Sequence, residues 1–158
     1  TLAMGDALAC ALMNVRGFQA KDFAQFHPGG NLGKKLLICV KDVMHKENLP
    51  VVSPNVMILD VILEMTKGRL GLVIVEEFGE IKGIITDGDI RRSIQKYNDG
   101  LLYIQACDIM TVNPKLINAE EKLTKAEELM HREKIHALIV VNREMKTLGV
   151  LDSFSCLV

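Results

Sequence analysis

The chain has 158 residues, a length that accommodates one compact domain or two small ones. Apolar residues make up 49% of it and charged residues 25%, which is ordinary for a globular protein. The net charge of −1 offers no positive surface to nucleic acid or to an anionic membrane, and no apolar run approaches the roughly 20 residues that span a bilayer. Neither nucleic acid nor a membrane is therefore expected as a partner.

The four cysteines are widely separated in the sequence, at Cys10, Cys39, Cys107 and Cys156. They form no CxxC pair and no Cys/His spacing of the kind that binds zinc, so no metal site is predicted. Dispersed thiols of this kind indicate buried apolar residues in a reducing compartment, and a cytoplasmic location is expected. Because the chain lacks an initiator methionine and opens inside an apparent helix, we expect it to be a piece of a longer protein.

The part of the chain before Val40 predicts a helix followed by a loop. Residues 1–16 are strong helix formers with an apolar majority, and Gly17 is placed to end the helix. A second short helix is predicted over 21–26. It leads into a stretch at 27–33 that contains one proline and three glycines, which predicts a turn or an ordered loop.

An internal repeat begins after Val40. Three short stretches recur in the same order at a nearly constant offset. They are 42–44 with 108–110, 71–75 with 136–140, and 83–85 with 149–151. Three ordered matches at nearly one offset indicate two copies of one structural unit.

Each copy predicts the element order β-α-β-β-α. A short extended piece (51–52 or 116–117) is followed by a turn, a helix, and two apolar strands joined by a polar turn. A closing helix is predicted from Gly88 to Tyr97 in the first copy, whereas the second has only 152–158 left for it. The predicted apolar faces of the first helices are Val56, Leu59, Ile62 and Leu63 in one copy and Leu123, Ala126, Leu129 and Met130 in the other.

A unit this small leaves an apolar sheet face exposed, and two copies packed face to face would bury it. The fold class expected is therefore α/β (α+β), built from tandem repeats. The expected boundaries are 1–38 for the N-terminal segment, 40–98 for the first repeat and 106–158 for the second.

One motif of the first repeat identifies the unit. Residues 83–90 read Gly-Ile-Ile-Thr-Asp-Gly-Asp-Ile. This is similar to the pattern of the cystathionine-β-synthase-type (CBS) domain: Gly, two apolar residues, Ser or Thr, two residues of any type, Asp, and an apolar residue. The resemblance covers residues 40–158 and implies that the two copies form a pseudo-twofold disc, called a Bateman module.

The N-terminal segment resembles the last helix and exit loop of a sugar isomerase (SIS) domain. The stretches that carry this resemblance are MGDALA at 4–9, RGF at 16–18, DFA at 22–24 and HPGG at 27–30. Joined to a CBS pair, they resemble the D-arabinose-5-phosphate isomerases. That family interconverts ribulose 5-phosphate and arabinose 5-phosphate for 3-deoxy-octulosonate, lipopolysaccharide or capsule synthesis, so the intact parent is expected to be an aldose–ketose isomerase that needs no cofactor. Most of the SIS domain is absent here, so this chain alone is expected to be inactive.

The isomerase resemblance places His27 in or beside the active site of the intact parent. Isomerisation moves a proton between adjacent carbons, and a histidine with an ordinary pKa of about 6.5 suits that task near neutral pH. The alternative is a loop histidine that caps the preceding short helix. The resemblance favours the catalytic role in the parent, though not in this chain.

Thr86 and Asp89 are the candidate ligand-binding residues of the first repeat. Thr86 ends a predicted strand and Asp89 falls in the first turn of the next helix, where amide groups favour phosphate and a carboxylate can accept both hydroxyls of a ribose. The alternative is that the two residues only cap the helix and complement its dipole. Arg69, Arg91 and Arg92 are within reach of a phosphate, but exposed arginines on helices are often merely solvated.

The second repeat departs from the motif, because Asp152 stands at the Ser/Thr position and Ser155 at the Asp position. Its cleft is therefore expected to be empty or to bind something else. The leading hypothesis is a regulatory module of a homo-oligomeric enzyme (dimer or tetramer) that binds AMP, ADP, ATP or a sugar nucleotide, while sugar phosphate binds elsewhere in the parent. The alternative is a structural module that pairs subunits and binds no ligand.

Overall fold

The computed structural model describes residues 2–18 and 37–157. The first helix, α1, spans Leu2–Val15, and Gly17 follows it with a φ of 58°, as expected for a glycine that ends a helix. The short helix predicted over 21–26 and the loop that carries His27 lie outside the described residues. No helix in the described part of the chain is long and apolar enough to cross a membrane.

The two repeats have the predicted element order. The first comprises β1 (Val51–Val52), α3 (Ile58–Gly68), β2 (Leu72–Glu77), β3 (Glu80–Thr86) and α4 (Asp87–Tyr97). The second comprises β5 (Leu116–Asn118), α6 (Leu123–Glu133), β6 (Ala137–Val141) and β7 (Thr147–Asp152). Between and before them lie α2 (Val40–Val43), a 3-10 helix (Asn98–Tyr103), α5 (Ala106–Ile109) and β4 (Thr111–Val112). Turns at 153–156 stand where the first repeat has α4.

Each repeat forms its own small sheet, and the two sheets meet face to face. The first has the order β1-β2-β3-β4 and the second β5-β6-β7, with the first pair of each parallel and the others antiparallel. The inner faces share one apolar cluster made of Leu72, Ile74, Ile139, Val141 and Val150. The predicted burial of one repeat against the other is thereby confirmed.

The outer face of each sheet is covered by helices. In the second repeat the predicted face of α6 is confirmed, because Leu123, Ala126 and Met130 are buried and Leu129 packs against them. The predicted face of α3 is wrong in two positions: Leu59 and Leu63 are 52% and 56% exposed. The residues of α3 that enter the core are instead Ile58, Val61 and Met65. Apolar residues lie on both sides of α3, so their spacing fits two faces equally well.

The connecting segments are exchanged between the repeats. α2 precedes the first repeat in sequence but packs on the second, where the Val40 amide donates to the Glu121 carbonyl at 2.9 Å. α5 precedes the second repeat but packs on the first, where the Ala106 amide donates to the Val56 carbonyl at 2.8 Å. Each repeat is thus completed by the segment that leads into the other.

The burial of the cysteines was only partly predicted. Cys156 is buried and Cys39 is half-buried, but Cys10 and Cys107 are exposed, so the expectation of burial is wrong for those two. Cys10 lies on α1, whose described side chains are all exposed, and Cys107 lies on α5.

Candidate functional site

Thr86 and Asp89 meet at the junction between β3 and α4. β3 ends at Thr86 with Ile85 buried in the core, and α4 begins at Asp87, which places Asp89 in its first turn. The Oδ2 atom of Asp89 accepts hydrogen bonds from the Thr86 amide at 2.8 Å and from the Thr86 hydroxyl at 2.6 Å. The two predicted residues are therefore brought together, in the arrangement of a helix capping box.

The second carboxylate oxygen of Asp89 faces an arginine. Arg92 Nη2 donates to Asp89 Oδ1 at 2.7 Å. Asp89 is only 8% exposed. Its burial opposes ionisation, but the hydrogen bonds from Thr86 and Arg92 outweigh that cost and hold the pKa of the carboxyl group below its ordinary value. Asp89 is thus an ionised acceptor whose two oxygens are both in use.

A cleft of about 410 Å³ opens beside this junction, between the C-terminal half of α3 and the first turns of α4. Its apolar wall is made by Ile62, Met65 and Ile90, and Asp87 lies at its rim. Gly71 allows the close approach of β2 to α4, since its φ is 65° and its carbonyl accepts the Asp87 amide at 3.1 Å.

The three arginines predicted to lie within reach of a phosphate do not all lie together. Arg69 and Arg91 line the cleft, whereas Arg92 lies on another side of α4 with Asp89. Arg69 follows the last residue of α3 with a φ of 56°, a left-handed conformation in which a glycine is less strained. Thr86 and Asp89 do not line the cleft themselves, so the junction and the cleft are adjacent faces of the same α4 N-terminus.

The second repeat has a similar polar pair in the reverse sequence order. The acceptor, Asp152, comes first, and the donor, Ser155, follows three residues later. Asp152 Oδ1 accepts hydrogen bonds from the Ser155 amide at 2.7 Å and from the Ser155 hydroxyl at 2.6 Å. A third residue completes the group: His45 Nε2 lies 3.1 Å from Ser155 Oγ and 3.4 Å from Asp152 Oδ2. Burial opposes ionisation of Asp152, but the bonds from Ser155 and the nearby His45 hold its pKa below the ordinary value.

Sequence reasoning missed His45, which lies 110 residues before Ser155. The internal repeat could have indicated its position. The offset between the two copies relates His45 to Thr111 and Ile84 to Val150. Thr111 pairs with Ile84, and His45 pairs with Val150 in the same way. His45 therefore had to lie on the second repeat once α2 was known to cross to it.

A second cleft, of about 590 Å³, occupies the equivalent place in the second repeat. Lys134 stands there where the first cleft has Arg69, with nearly the same φ of 55°. His131 and His136 replace Thr66 and Gly71, so the polar groups of the two clefts differ. Within residues 2–18 and 37–157, no group of three or more His, Cys, Asp or Glu could hold a metal ion.

Comparison with known proteins places this geometry in a family. The model of the CBS domain matches residues 40–96 and 106–157. The chain is 48% identical over 152 residues to the probable arabinose 5-phosphate isomerase of Haemophilus influenzae, a match that covers 96% of this chain and 45% of that protein. It is 40% identical over 155 residues to the arabinose 5-phosphate isomerase KpsF of Escherichia coli, covering 98% and 47%. The chain thus spans slightly less than half the length of these relatives.

Solved structures of similar shape are CBS proteins as well. The CBS domain protein PAE2072 from Pyrobaculum aerophilum, complexed with AMP, has a TM-score of 0.67 at 23% identity, covering 75% of this chain and 89% of that one. The CBS domain pair of MJ0100, in complex with 5'-methylthioadenosine and S-adenosyl-L-methionine, has a TM-score of 0.66 at 22% identity, covering 75% and 91%. These likenesses show the fold. With the family model matched in both repeats and two sheets packed face to face, the chain belongs to the CBS domain family and forms a CBS pair.

Proposed function

We propose that this chain is the regulatory CBS pair of an arabinose-5-phosphate isomerase, and that its first repeat binds an adenine nucleotide. The intact parent would interconvert ribulose 5-phosphate and arabinose 5-phosphate, with His27 as an acid–base group. The support for the parent activity is the named activity of the relatives, together with the SIS-like stretches in residues 1–38.

The observation that carries the nucleotide proposal is the pair of arginines in the first cleft. Arg69 and Arg91 both line it, and each is charged at any physiological pH. Guanidinium groups bind phosphate oxygens with two parallel hydrogen bonds, so two of them in one cleft favour a phosphorylated ligand.

The rest of the cleft suits the nucleoside. Ile62, Met65 and Ile90 offer an apolar wall against which a base or a ribose face can pack, and the volume of about 410 Å³ lies within the range of small-molecule sites. Two solved CBS proteins of this fold are complexed with AMP, and a third with adenosine derivatives. An adenine nucleotide is therefore the first ligand to test.

Asp89 is the proposed ribose acceptor. Its carboxylate is ionised, and its partners other than the Thr86 amide are the Thr86 hydroxyl and Arg92. Two ribose hydroxyls could replace those two donors one for one, so both carboxylate oxygens of Asp89 would keep hydrogen-bond donors. Arg92, whose side chain is largely exposed, would then be released toward the phosphate. Thr86 and the first amides of α4 would hold the phosphate from the other side.

Two observations support the structural alternative, in which the module pairs subunits and binds no ligand. The contacts of Asp89 are those of a helix cap, which needs no ligand. The outer surface of α3 and α4 also exposes Leu59, Leu63 and Ile94. At the equivalent positions of α6, Thr124 and Glu128 stand where α3 has Leu59 and Leu63. An exposed apolar helix face of this kind, which α6 lacks, favours a contact with another subunit.

A thermal-shift screen of the 158-residue chain separates the two functions. AMP, ADP, ATP, CMP and the sugar nucleotide CMP-3-deoxy-octulosonate would be compared with adenosine and inorganic phosphate. We expect an adenine nucleotide to raise Tm more than adenosine or phosphate does, because a ligand that binds only the folded state stabilises that state. Replacing Arg69 and Arg91 by Met should abolish that rise, while Lys134→Met in the second cleft should leave it intact. No rise with any nucleotide at millimolar concentration would favour the structural alternative.

A further inference from the structure

Two hairpin turns lie next to each other at one edge of the module. The β2–β3 hairpin turns at 78–79, and the β6–β7 hairpin turns at 142–146. Beside these turns, the Thr147 hydroxyl donates a hydrogen bond to Glu76 Oε2 at 3.2 Å. Because Glu76 lies two residues before the first turn and Thr147 directly follows the second, the turning ends of the two hairpins are neighbours.

This edge is separate from the candidate ligand site. β3 begins at Glu80 beside the first turn and ends at Thr86, at the junction with α4. A strand of seven residues spans roughly 20 Å, so the turn and the junction lie at opposite ends of the sheet. A contact made by the two turns is therefore independent of the nucleotide proposal.

The first turn exposes an aromatic side chain. Glu77 pairs with Glu80 across the hairpin, so Phe78 and Gly79 form a two-residue loop. Phe78 is 98% exposed, and Met145 in the second turn is 56% exposed. A phenylalanine buries a large apolar area when it is covered, so a contact at this edge would gain more from Phe78 than from most surface residues.

The two turns carry opposite net charge. The segment 76–82, here called the acidic tip, contains three glutamates and one lysine, a net charge of −2. The segment 142–147, here called the basic tip, contains one arginine, one lysine and one glutamate, a net charge of +1. Glu80 of the acidic tip is exposed, as are Arg143 and Lys146 of the basic tip. The surface at this edge therefore has an acidic half and a basic half, with an exposed apolar side chain in each.

A surface of this kind is complementary to itself. In a pair of identical chains related by a twofold axis, each surface meets a copy of itself turned by half a revolution. The acidic tip of one copy then faces the basic tip of the other, and the reciprocal contact forms at the same time. Phe78 and Met145 of each copy would be covered together, while like charges would stay apart.

We propose that the acidic and basic tips form an interface between two copies of this chain, in which each tip binds the tip of opposite charge on the other copy. The surface is small, with two hairpin ends from each copy, so the association is weak and reversible unless other contacts add to it. It is distinct from the exposed leucines of α3, which lie on a helix outside the two hairpins. A chain with both surfaces can join more than one neighbour, as an assembly larger than a dimer requires.

Charge reversal tests the pairing of the tips. One variant carries Glu77→Lys with Glu80→Lys, and another carries Arg143→Glu with Lys146→Glu. Each variant alone sets like charges against each other in both contacts, so we expect its dissociation constant to exceed that of the unreversed chain by roughly tenfold or more. An equimolar mixture restores opposite charges in both contacts of the mixed pair, and it should associate about as tightly as the unreversed chain.

A single substitution separates association from folding. Phe78 and Gly79 have positive φ values of 52° and 80°, as in a type I′ turn, where asparagine is preferred at the first position. Phe78→Asn should therefore keep or raise the Tm of the unassociated chain while it weakens association at least about tenfold. Phe154→Asn is the matched control and should leave association unchanged, because Phe154 is 79% exposed but follows β7 at the end away from the tips.

Sedimentation equilibrium measures the dissociation constants, in chains that all carry Leu59→Thr and Leu63→Glu so that the exposed leucines of α3 do not contribute. A mixture that associates no more tightly than either charge-reversed variant alone would overturn the proposal. Equal dissociation constants for Phe78→Asn and Phe154→Asn would overturn it too, and so would a chain with unaltered tips that stays monomeric at millimolar concentration. The Phe78→Asn comparison decides the matter even if a charge-reversed variant fails to fold.

Discussion

Gly83 on β3 and Gly149 on β7 occupy equivalent positions in the two repeats. At each of them the connecting segment that packs on that repeat runs too close to the strand for a side chain. A Cβ on Gly83 would lie 2.9 Å from the Thr111 carbonyl oxygen, and one on Gly149 would collide with the carbonyl oxygen of His45. Neither glycine has a positive φ, so the requirement is space and not backbone conformation. The glycine of the repeated motif thus serves the exchange of connecting segments.

Gly149→Ala is expected to lower the free energy of unfolding by about 1–3 kcal/mol, because backbone atoms must shift to admit the methyl group. Gly83→Ala should act in the same direction on the first repeat. Gly100→Ala is the matched control, since a Cβ there would meet nothing within 4 Å. Its effect should stay within about 0.5 kcal/mol in chemical denaturation. If Gly149→Ala lowered the free energy of unfolding as little as Gly100→Ala does, the close approach of the connecting segment to Gly149 would be contradicted.

Asp89 should make stability depend on pH in the acid range. Hydrogen bonds from Thr86 and Arg92 lower its folded pKa despite burial. The stabilisation that Asp89 contributes to the folded state is therefore present above the pKa of the carboxyl group in the unfolded chain, about 4. It is lost as the pH falls through the pKa of the same group in the folded chain. Asp89→Asn should cost about 1 kcal/mol of unfolding free energy at neutral pH, the scale of a helix cap, and progressively less below about pH 4. Urea denaturation at both pH values checks this, with the exposed Asp60→Asn as control.

The repeat, the element order and the face-to-face packing were predicted from the sequence. They follow from local patterns: apolar strand pairs such as 72–75 and 138–141, turn residues between them, and matches at a nearly constant offset. Two apolar sheet faces in one short chain leave few other ways to bury both. Fold class is therefore the part of the structure that local chemistry determines.

The details of the site depend on long-range contacts and were not predictable in the same way. The contact of His45 with Ser155 joins residues 110 apart, and it exists only because α2 crosses to the second repeat. Arg92 and Arg91 are neighbours in sequence, yet one binds Asp89 and the other lines the cleft. The face of α3 was missed because apolar residues occur on both sides of it, so only the tertiary contacts select Ile58, Val61 and Met65.

The exposed leucines of α3 should contribute to self-association. Replacing Leu59 by Thr and Leu63 by Glu gives α3 the residues that α6 has at the equivalent positions. We expect this double variant to dissociate at higher concentration than wild type in sedimentation velocity, because burying each leucine contributes about 1.5–3 kcal/mol to a contact. Glu128→Gln on α6 is the control and should not change the assembly. A wild-type chain that stays at 17.5 kDa at micromolar concentration would contradict the expectation.

His27 is tested in the full-length parent. His27→Ala should lower kcat for the conversion of ribulose 5-phosphate by roughly 10²-fold or more, the usual contribution of a positioned acid–base group. The other histidines offer a control, since His136→Ala in the second cleft should leave kcat unchanged. An effect confined to KM would assign His27 to substrate binding, and no effect at all would return it to helix capping. The 158-residue chain alone should show no turnover.

The proposed contact of Asp89 with the ribose of a nucleotide can be measured by calorimetry of wild type and Asp89→Ala with the best adenine nucleotide of the screen. Asp108→Ala is the matched control, because Asp108 caps α5 through the Gln105 amide at 2.7 Å, as Asp89 caps α4, but does not belong to the β3–α4 junction. Loss of a hydrogen bond to an ion costs about 1.5–3 kcal/mol, so Asp89→Ala should weaken binding at least about tenfold while Asp108→Ala does not. Equal affinities for wild type and Asp89→Ala would mean that Thr86 and Asp89 only cap the helix, and the structural function would stand instead.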